Sequence, residues 1–212
     1  GGESLGKSAE PAVVDAMNAR NEKGIALVFS LLALLMLSAL GAGLVMTTST
    51  EAAIGGNFRA ASEARYAARA VAHRAVLDLQ TLASWDGVLA GVELSPFADG
   101  LPWGPRQLPG SITIDLTEIA NVANCGQATG CSVVAMASNR PGRPWAANNP
   151  RWRPYAWGPL SALENDARPN GDYFLLVLVG DDGAENDGDP ETDGAAIANP
   201  GSGRILVRGL AF

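Results

Sequence analysis

Seven carboxylates lie close together between Asp181 and Asp193, and carboxylates at this density can hold a metal ion. Calcium takes six to eight oxygen ligands from carboxylates, amides and backbone carbonyls in flexible loops. The spacing differs from that of an EF-hand, so a loop of another geometry is expected. The predicted ligands are Asp182, Asn186, Asp187, Asp189 and Asp193. The alternative is a solvated hairpin loop, and a chelator that leaves the melting temperature unchanged would support that alternative.

Residues 140–159 have the opposite character, with four arginines, three tryptophans and five prolines but no acidic residue. Arginine beside aromatic rings can stack on bases or sugars, so the stretch is a candidate ligand-binding surface, with nucleic acid as one ligand. The residues predicted to bind are Arg143, Trp145, Arg151, Trp152 and Arg153. Two other interpretations are packing over a sheet edge and pairing with the acidic segment.

Cys125 and Cys131 are the only cysteines and bracket a short glycine-containing loop. In an exported domain this spacing favours a local disulfide, whereas two reduced thiols would fit a reducing compartment. The only histidine, His73, stands among alanines and arginines far from both cysteines. Because no nucleophile motif, phosphate loop or zinc pattern is visible, the sequence predicts a protein that is not an enzyme and has no cofactor other than calcium.

The segment from Ile25 to Met46 contains no charged residue. A helix of this length spans roughly 33 Å, enough for a hydrocarbon core of about 30 Å. A signal peptide has a shorter apolar core, although Ala39–Gly43 resembles a cleavage site. The apolar pattern continues beyond it, which favours a retained membrane helix. Arg20 and Lys23 precede the span, so the N-terminal side should be cytoplasmic.

The remaining sequence separates into a helical part and a β-rich part. Glu51–Leu82 has apolar residues at helical spacing, which predicts one long helix over residues 25–84 with residues 25–46 in the membrane. Residues 85–212 are expected to form a β-rich globular domain outside the cytoplasm. The predicted strands are Ser111–Leu116, Cys131–Ala137, Tyr173–Val179 and Arg204–Phe212. Because Tyr173–Val179 is apolar on both faces, it should be a central strand, and the fold class is α+β.

The N-terminal half resembles a known family. A charged patch that ends in Gly24 and precedes an aliphatic helix is similar to the layout of type IV pilins, whose leader is cut by prepilin peptidase after the glycine. The resemblance implies a leader over residues 1–24 and a processing site between Gly24 and Ile25. The stretch Thr47–Leu79 also resembles PilX-type minor pilins. Its matching features are Thr47-Thr48, Glu51, Gly56-Asn57 and Ala64–Ala68.

The resemblance implies a long N-terminal helix packed on a small antiparallel sheet. Phe29 stands where major pilins carry a glutamate, which favours a minor or tip subunit acting in pilus assembly, tip formation or adhesion. The implied partners are other pilin subunits, the inner-membrane assembly machinery and prepilin peptidase. The implied location is the inner membrane, with one span, and later the pilus or cell surface. The alternatives are a membrane-anchored periplasmic ligand-binding domain and a minor pseudopilin of type II secretion.

Overall fold

The computed structural model describes residues 11–162, 173–184, 188–193 and 203–212, with side chains from Gly24 onward. Two of the predicted calcium ligands, Asn186 and Asp187, lie outside the described residues. The chain divides into two units between Arg59 and Ala60, and each unit is treated by itself below.

Helix α1 runs from Pro11 to Leu79, so it includes the described part of the segment that the resemblance assigns to the leader. Between Gly24 and Ala61 every residue is exposed. This part of the helix is long and apolar enough to cross a membrane. Its threonines stay helical because their hydroxyls bond within the helix: Thr47 and Thr50 each donate to the carbonyl four residues back, at 2.9 Å.

The last turns of α1 supply one side of the core of the second unit. Ala67, Val71, Ala75 and Leu79 recur every four residues, as one face of a helix requires, and all four are buried. They pack against the sheet residues Tyr155, Leu175, Val177 and Val179. The helix ends at Leu79, earlier than the predicted residue 84. The indole Nε1 of Trp85 donates to the carbonyl of Leu79 at 2.9 Å, which satisfies one of the acceptors exposed at a helix end.

The main sheet has three antiparallel strands in the order β3-β4-β5. These are β3 (Arg153–Pro159), β4 (Phe174–Asp181) and β5 (Ile205–Ala211). The predicted central position of the apolar strand is confirmed, because every residue of β4 is buried. Its even-numbered side chains face away from α1 and join a second core cluster with Leu116 and Trp157. The sheet is therefore covered on both faces.

On the face away from α1, the sheet is covered by a hairpin and the helix that follows it. Strands β1 (Pro105–Leu108) and β2 (Ile112–Asp115) pair antiparallel, and α3 (Leu116–Cys125) follows directly. Asp115 caps α3, because its carboxylate accepts the amide of Thr117 at 2.8 Å. The structure also describes two single-turn α-helices, α2 (Asp86–Leu89) and α4 (Val133–Met136). Val88 of α2 packs in the core cluster on the α1 side of the sheet.

The strand predicted over Cys131–Ala137 is wrong, because this segment contains helix α4. The hydroxyl of Ser132 accepts the amide of Ala135 at 3.2 Å and caps the turn. A strand also needs a neighbour for its backbone groups, and none of the described strands pairs with this segment. Val133 and Val134 are exposed, so packing of their side chains would not offset the cost of a strand with unpaired backbone groups.

Candidate functional site

The cysteines form a disulfide at the C-terminal end of α3, as predicted from their spacing. The Cα atoms of Cys125 and Cys131 are 5.5 Å apart. Gly126 follows the helix at a φ of 72°, a left-handed conformation that glycine adopts without strain. The disulfide therefore closes the loop that leaves α3.

Two arginines of the Arg/Trp stretch are used at the same helix end. The guanidinium of Arg140 donates to the carbonyls of Cys125 and Asn124. That of Arg143 donates to the carbonyl of Ala123 at 3.4 Å and to that of Pro150 at 2.8 Å. Cations are favourable at a helix C-terminus, where the backbone dipoles leave partial negative charge. Burial, and then the neighbouring charge of Arg140, lowers the pKa of Arg143. Arg143, a predicted ligand-binding residue, thus forms hydrogen bonds within the fold.

Arg151 and Arg153 converge on one carboxylate of the acidic segment. Glu191 Oε1 accepts from Arg151 Nη1 at 2.6 Å and from Arg153 Nη2 at 2.5 Å. These bonds lower the pKa of Glu191, the bond from Arg151 contributing most. The interpretation that the two oppositely charged stretches pair with each other is confirmed for these residues. Neither stretch alone indicated which carboxylate would be used, and Glu191 was not among the predicted ligands.

The two tryptophans of the predicted surface lie over glycines. Trp145 is 39% exposed, and its indole covers Gly183, where a Cβ would come within 2.8 Å of Trp145 Cδ2. Trp152 packs into the second core cluster and lies against Gly180. The structure thus brings the predicted Arg and Trp residues near the sheet and uses them in internal contacts. Binding of an external ligand by this stretch stays a prediction.

Two asparagines that the sequence analysis did not single out organise this region. Asn124, on α3, donates from Nδ2 to the carbonyl of Trp152 and accepts the amide of Trp152 on Oδ1, both at 2.8 Å. Asn149 is buried and donates to the carbonyls of Met136 and Ser138, both at 3.1 Å. Buried amides are stable only when bonded in this way. Their sequence context carries no signal that distinguishes them from loop asparagines.

Several described residues of the acidic segment form hydrogen bonds between a backbone amide and an aspartate carboxylate. Asp182 accepts the amide of Ala184 at 3.1 Å and Asp189 that of Glu191 at 3.1 Å, while the amide of Asp193 donates to Asp86 Oδ1 at 2.9 Å. Within the described ranges, no three acidic, histidine or cysteine residues form a group suited to a metal. The calcium site stays a prediction, since two of its five ligands are not described.

Neutralising Glu191 is expected to change how stability depends on pH. The pKa of Glu191 is lower in the folded than in the unfolded state, so the ion pairs stabilise the fold above the unfolded value of about 4.3. That contribution disappears as the pH falls through the folded pKa. In Glu191→Gln, the melting temperature should drop at pH 6–7 and should differ less from that of the wild type near pH 3. Thermal unfolding between pH 3 and 7 measures this.

The exposed residue Glu51 provides the control for that experiment. Glu51→Gln should leave the pH profile of unfolding unchanged. If the difference in melting temperature between wild type and Glu191→Gln were the same at every pH, the two arginines would not stabilise the fold through Glu191.

The predicted processing site lies within helix α1. Gly24 and Ile25 are both exposed, and a Cβ added at Gly24 would meet nothing within 4 Å. Phe29, four residues further on, is 68% exposed. No family model matches this chain, and no curated protein or solved structure is significantly similar to it.

Proposed function

We propose that this chain is a minor pilin or pilin-like subunit of a type IV pilus that acts in pilus assembly, tip formation or adhesion. The observation that supports this most is the form of α1. Its uncharged stretch after Gly24 is helical and exposed, and its residues Ala67–Leu79 form the face that packs on an antiparallel sheet. This combination is what the resemblance to pilins implies.

The exposed apolar stretch requires a nonpolar surrounding. Its large apolar residues are exposed, and Phe29, Leu34 and Leu40 are each more than 60% exposed. Burying one such side chain is worth about 1.5–3 kcal/mol, so the stretch favours a bilayer core before assembly and the helices of other subunits in a filament. Gly41 and Gly43 leave open space beside the helix, which permits close approach of a neighbouring backbone.

Two further features support insertion with the N-terminal side in the cytoplasm. The basic residues Arg20 and Lys23 precede the apolar stretch, and basic residues near a span tend to remain cytoplasmic. The Cys125–Cys131 disulfide lies in the part after the stretch, and disulfides persist in exported, oxidising compartments. In the family that this chain resembles, the acid at the position of Phe29 pairs with a neighbour's N-terminal amine. A subunit at the tip has no neighbour above it that would need this acid.

Processing by prepilin peptidase tests the proposal. The full chain is co-expressed in membranes with an active or an inactive prepilin peptidase, and the N-terminus is sequenced. The active enzyme should produce a new N-terminus at Ile25. Gly24→Val should block the cut, and Gly43→Val should be cut normally. A Cβ added at either glycine meets no other part of the described structure within 4 Å, so the two substitutions are matched in their surroundings.

Two results would overturn this proposal. One is a leader that stays intact with the active enzyme, which would favour a single-pass anchored binding domain. The other is cleavage within Ala39–Gly43, which would identify a signal peptide.

A further inference from the structure

The two edges of the main sheet differ. The outer edge of β3 is covered by the segment Ser95–Asp99. The amide of Ser95 donates to Tyr155 at 3.0 Å, that of Trp157 donates to Phe97 at 3.0 Å, and that of Asp99 donates to Trp157 at 2.9 Å. Pro154 and Pro159 also remove donors from β3. Coverage and proline are two of the means by which proteins prevent unwanted pairing at a sheet edge.

Within the described part of the chain, the outer edge of β5 is neither covered by another segment nor interrupted by proline. Phe174 and Phe212 exchange both backbone hydrogen bonds, and bonded and non-bonded pairs alternate along an antiparallel ladder. The four residues of β5 at odd numbers therefore direct their N–H and C=O groups away from β4. They are Ile205, Val207, Gly209 and Ala211. No described strand pairs with this side of β5, and the strand contains neither proline nor lysine.

Cavities flank β5 on both faces of the sheet. On the α3 side, a groove of about 440 Å³ is lined mainly by apolar side chains, with the guanidinium of Arg208 and the carboxylates of Asp115 and Glu118 beside them. The carboxylate of Asp115 is used to cap α3. On the α1 side, a groove of about 460 Å³ lies between Trp85 and the residues Ile205 and Val207. A strand added to β5 would direct alternate side chains toward these two grooves, because successive side chains of a strand point to opposite faces.

Arg208 restricts the strand that can pair here. It is the one exposed residue of β5 and lies at its centre; no described carboxylate forms a salt bridge with it. If a second copy paired antiparallel over the full length of β5, the two Arg208 side chains would lie directly opposite each other. Like charges in that position are destabilising, whereas opposite charges stabilise a pair by about 0.2–1 kcal/mol. The charge favours a different chain that places an acidic residue there.

We propose that the outer edge of β5 binds an extended segment of another protein, which adds a fourth strand to the sheet. Its side chains are apolar on the faces turned to the two grooves, and an aspartate or glutamate lies opposite Arg208. Backbone hydrogen bonds to the odd-numbered residues of β5 supply affinity, and the grooves and Arg208 supply specificity, as in other cases of strand addition. The proposal holds for this domain whether or not the chain enters a filament.

Peptide selection on the full-length protein in detergent micelles tests this proposal. A displayed library of random nine-residue peptides serves as the probe. We expect enriched sequences that have apolar residues on both sides of an acidic residue at a fixed position. Val207→Pro removes an amide that points away from β4, so it should weaken binding of a selected peptide by about fivefold or more, as loss of one hydrogen bond predicts. Circular dichroism and thermal unfolding verify that this variant is folded.

Charge reversal provides a test that does not depend on the proline variant. Selection on Arg208→Glu should enrich lysine or arginine at the position previously held by the acid. Arg69→Glu, a reversal at an exposed residue of α1, should leave the selected sequences unchanged. The proposal is overturned if no apolar sequence with an acidic residue at a fixed position is enriched, or if the charge of the enriched peptides is the same for wild type and Arg208→Glu. Equal binding by wild type and folded Val207→Pro would also overturn it.

Discussion

Replacing Gly209 with alanine is expected to destabilise the second unit by about 1–3 kcal/mol or more, the usual cost of overpacking. Helix α1 crosses β5 at this glycine. An added Cβ would collide with the carbonyl oxygen of Ala68 and would lie 3.0 Å from the Cβ of Ala72. The colliding atom belongs to the backbone of a helix, so it cannot rotate away. Urea unfolding followed by tryptophan fluorescence measures the loss.

Gly56→Ala is the matched control for this substitution. A Cβ at Gly56 has nothing within 4 Å, and alanine is favoured over glycine in a helix by about 1 kcal/mol. The same chemical change should therefore leave stability unchanged or raise it. A Gly209→Ala variant as stable as the wild type would contradict the close approach of α1 to β5 at this residue.

Replacing Trp157 with alanine is expected to destabilise the unit by about 3–5 kcal/mol, as for other large aromatic side chains removed from a core. Trp157 is fully buried among Leu116, Leu176 and Leu178. Its indole Nε1 also donates to the carbonyl of Asp99 at 2.7 Å, so truncation removes both packing and a hydrogen bond. Chemical unfolding detected by far-ultraviolet circular dichroism gives the change in free energy.

Trp103 allows the same substitution at a surface position, since it is 57% exposed. Trp103→Ala should change the free energy of unfolding by no more than about 0.5 kcal/mol. Equal losses for the two variants would contradict the assignment of Trp157 to the core.

The sequence predicts those elements whose residues share one environment. Helix α1 and strand β4 are long and uniform, since the apolar stretch of α1 lies on an exposed helix and every residue of β4 is buried. Strand β3 was not predicted, because Pro154 and Pro159 argue against a strand. These prolines are accommodated because β3 is the outer strand of the three-stranded sheet, and its bonds to Ser95–Asp99 are made by Tyr155 and Trp157. That arrangement depends on contacts distant in the sequence.

Short elements and the partners of charged groups are also hard to predict, because they too depend on contacts distant in the sequence. The two valines of Cys131–Ala137 favour a strand by propensity. The cap formed by Ser132 favours helix α4 instead, and no described strand pairs with this segment. The opposite charges of the two stretches indicate attraction between them. Only the folded chain shows that Arg151 and Arg153 share Glu191 and that Arg143 is held by backbone carbonyls.

The contact between Asn124 and Trp152 restricts which residues can occupy position 124. The amide side chain gives one hydrogen bond to the backbone of Trp152 and receives one from it, so it substitutes for a neighbouring strand residue at the entry to β3. Aspartate has nearly the same shape but would turn the donor into a second acceptor facing a carbonyl. Leucine would offer neither group. The junction between α3 and β3 therefore depends on an amide side chain at this position. Conversion of Asn124 to aspartate would weaken the junction even though the apolar contacts of the two elements are unchanged.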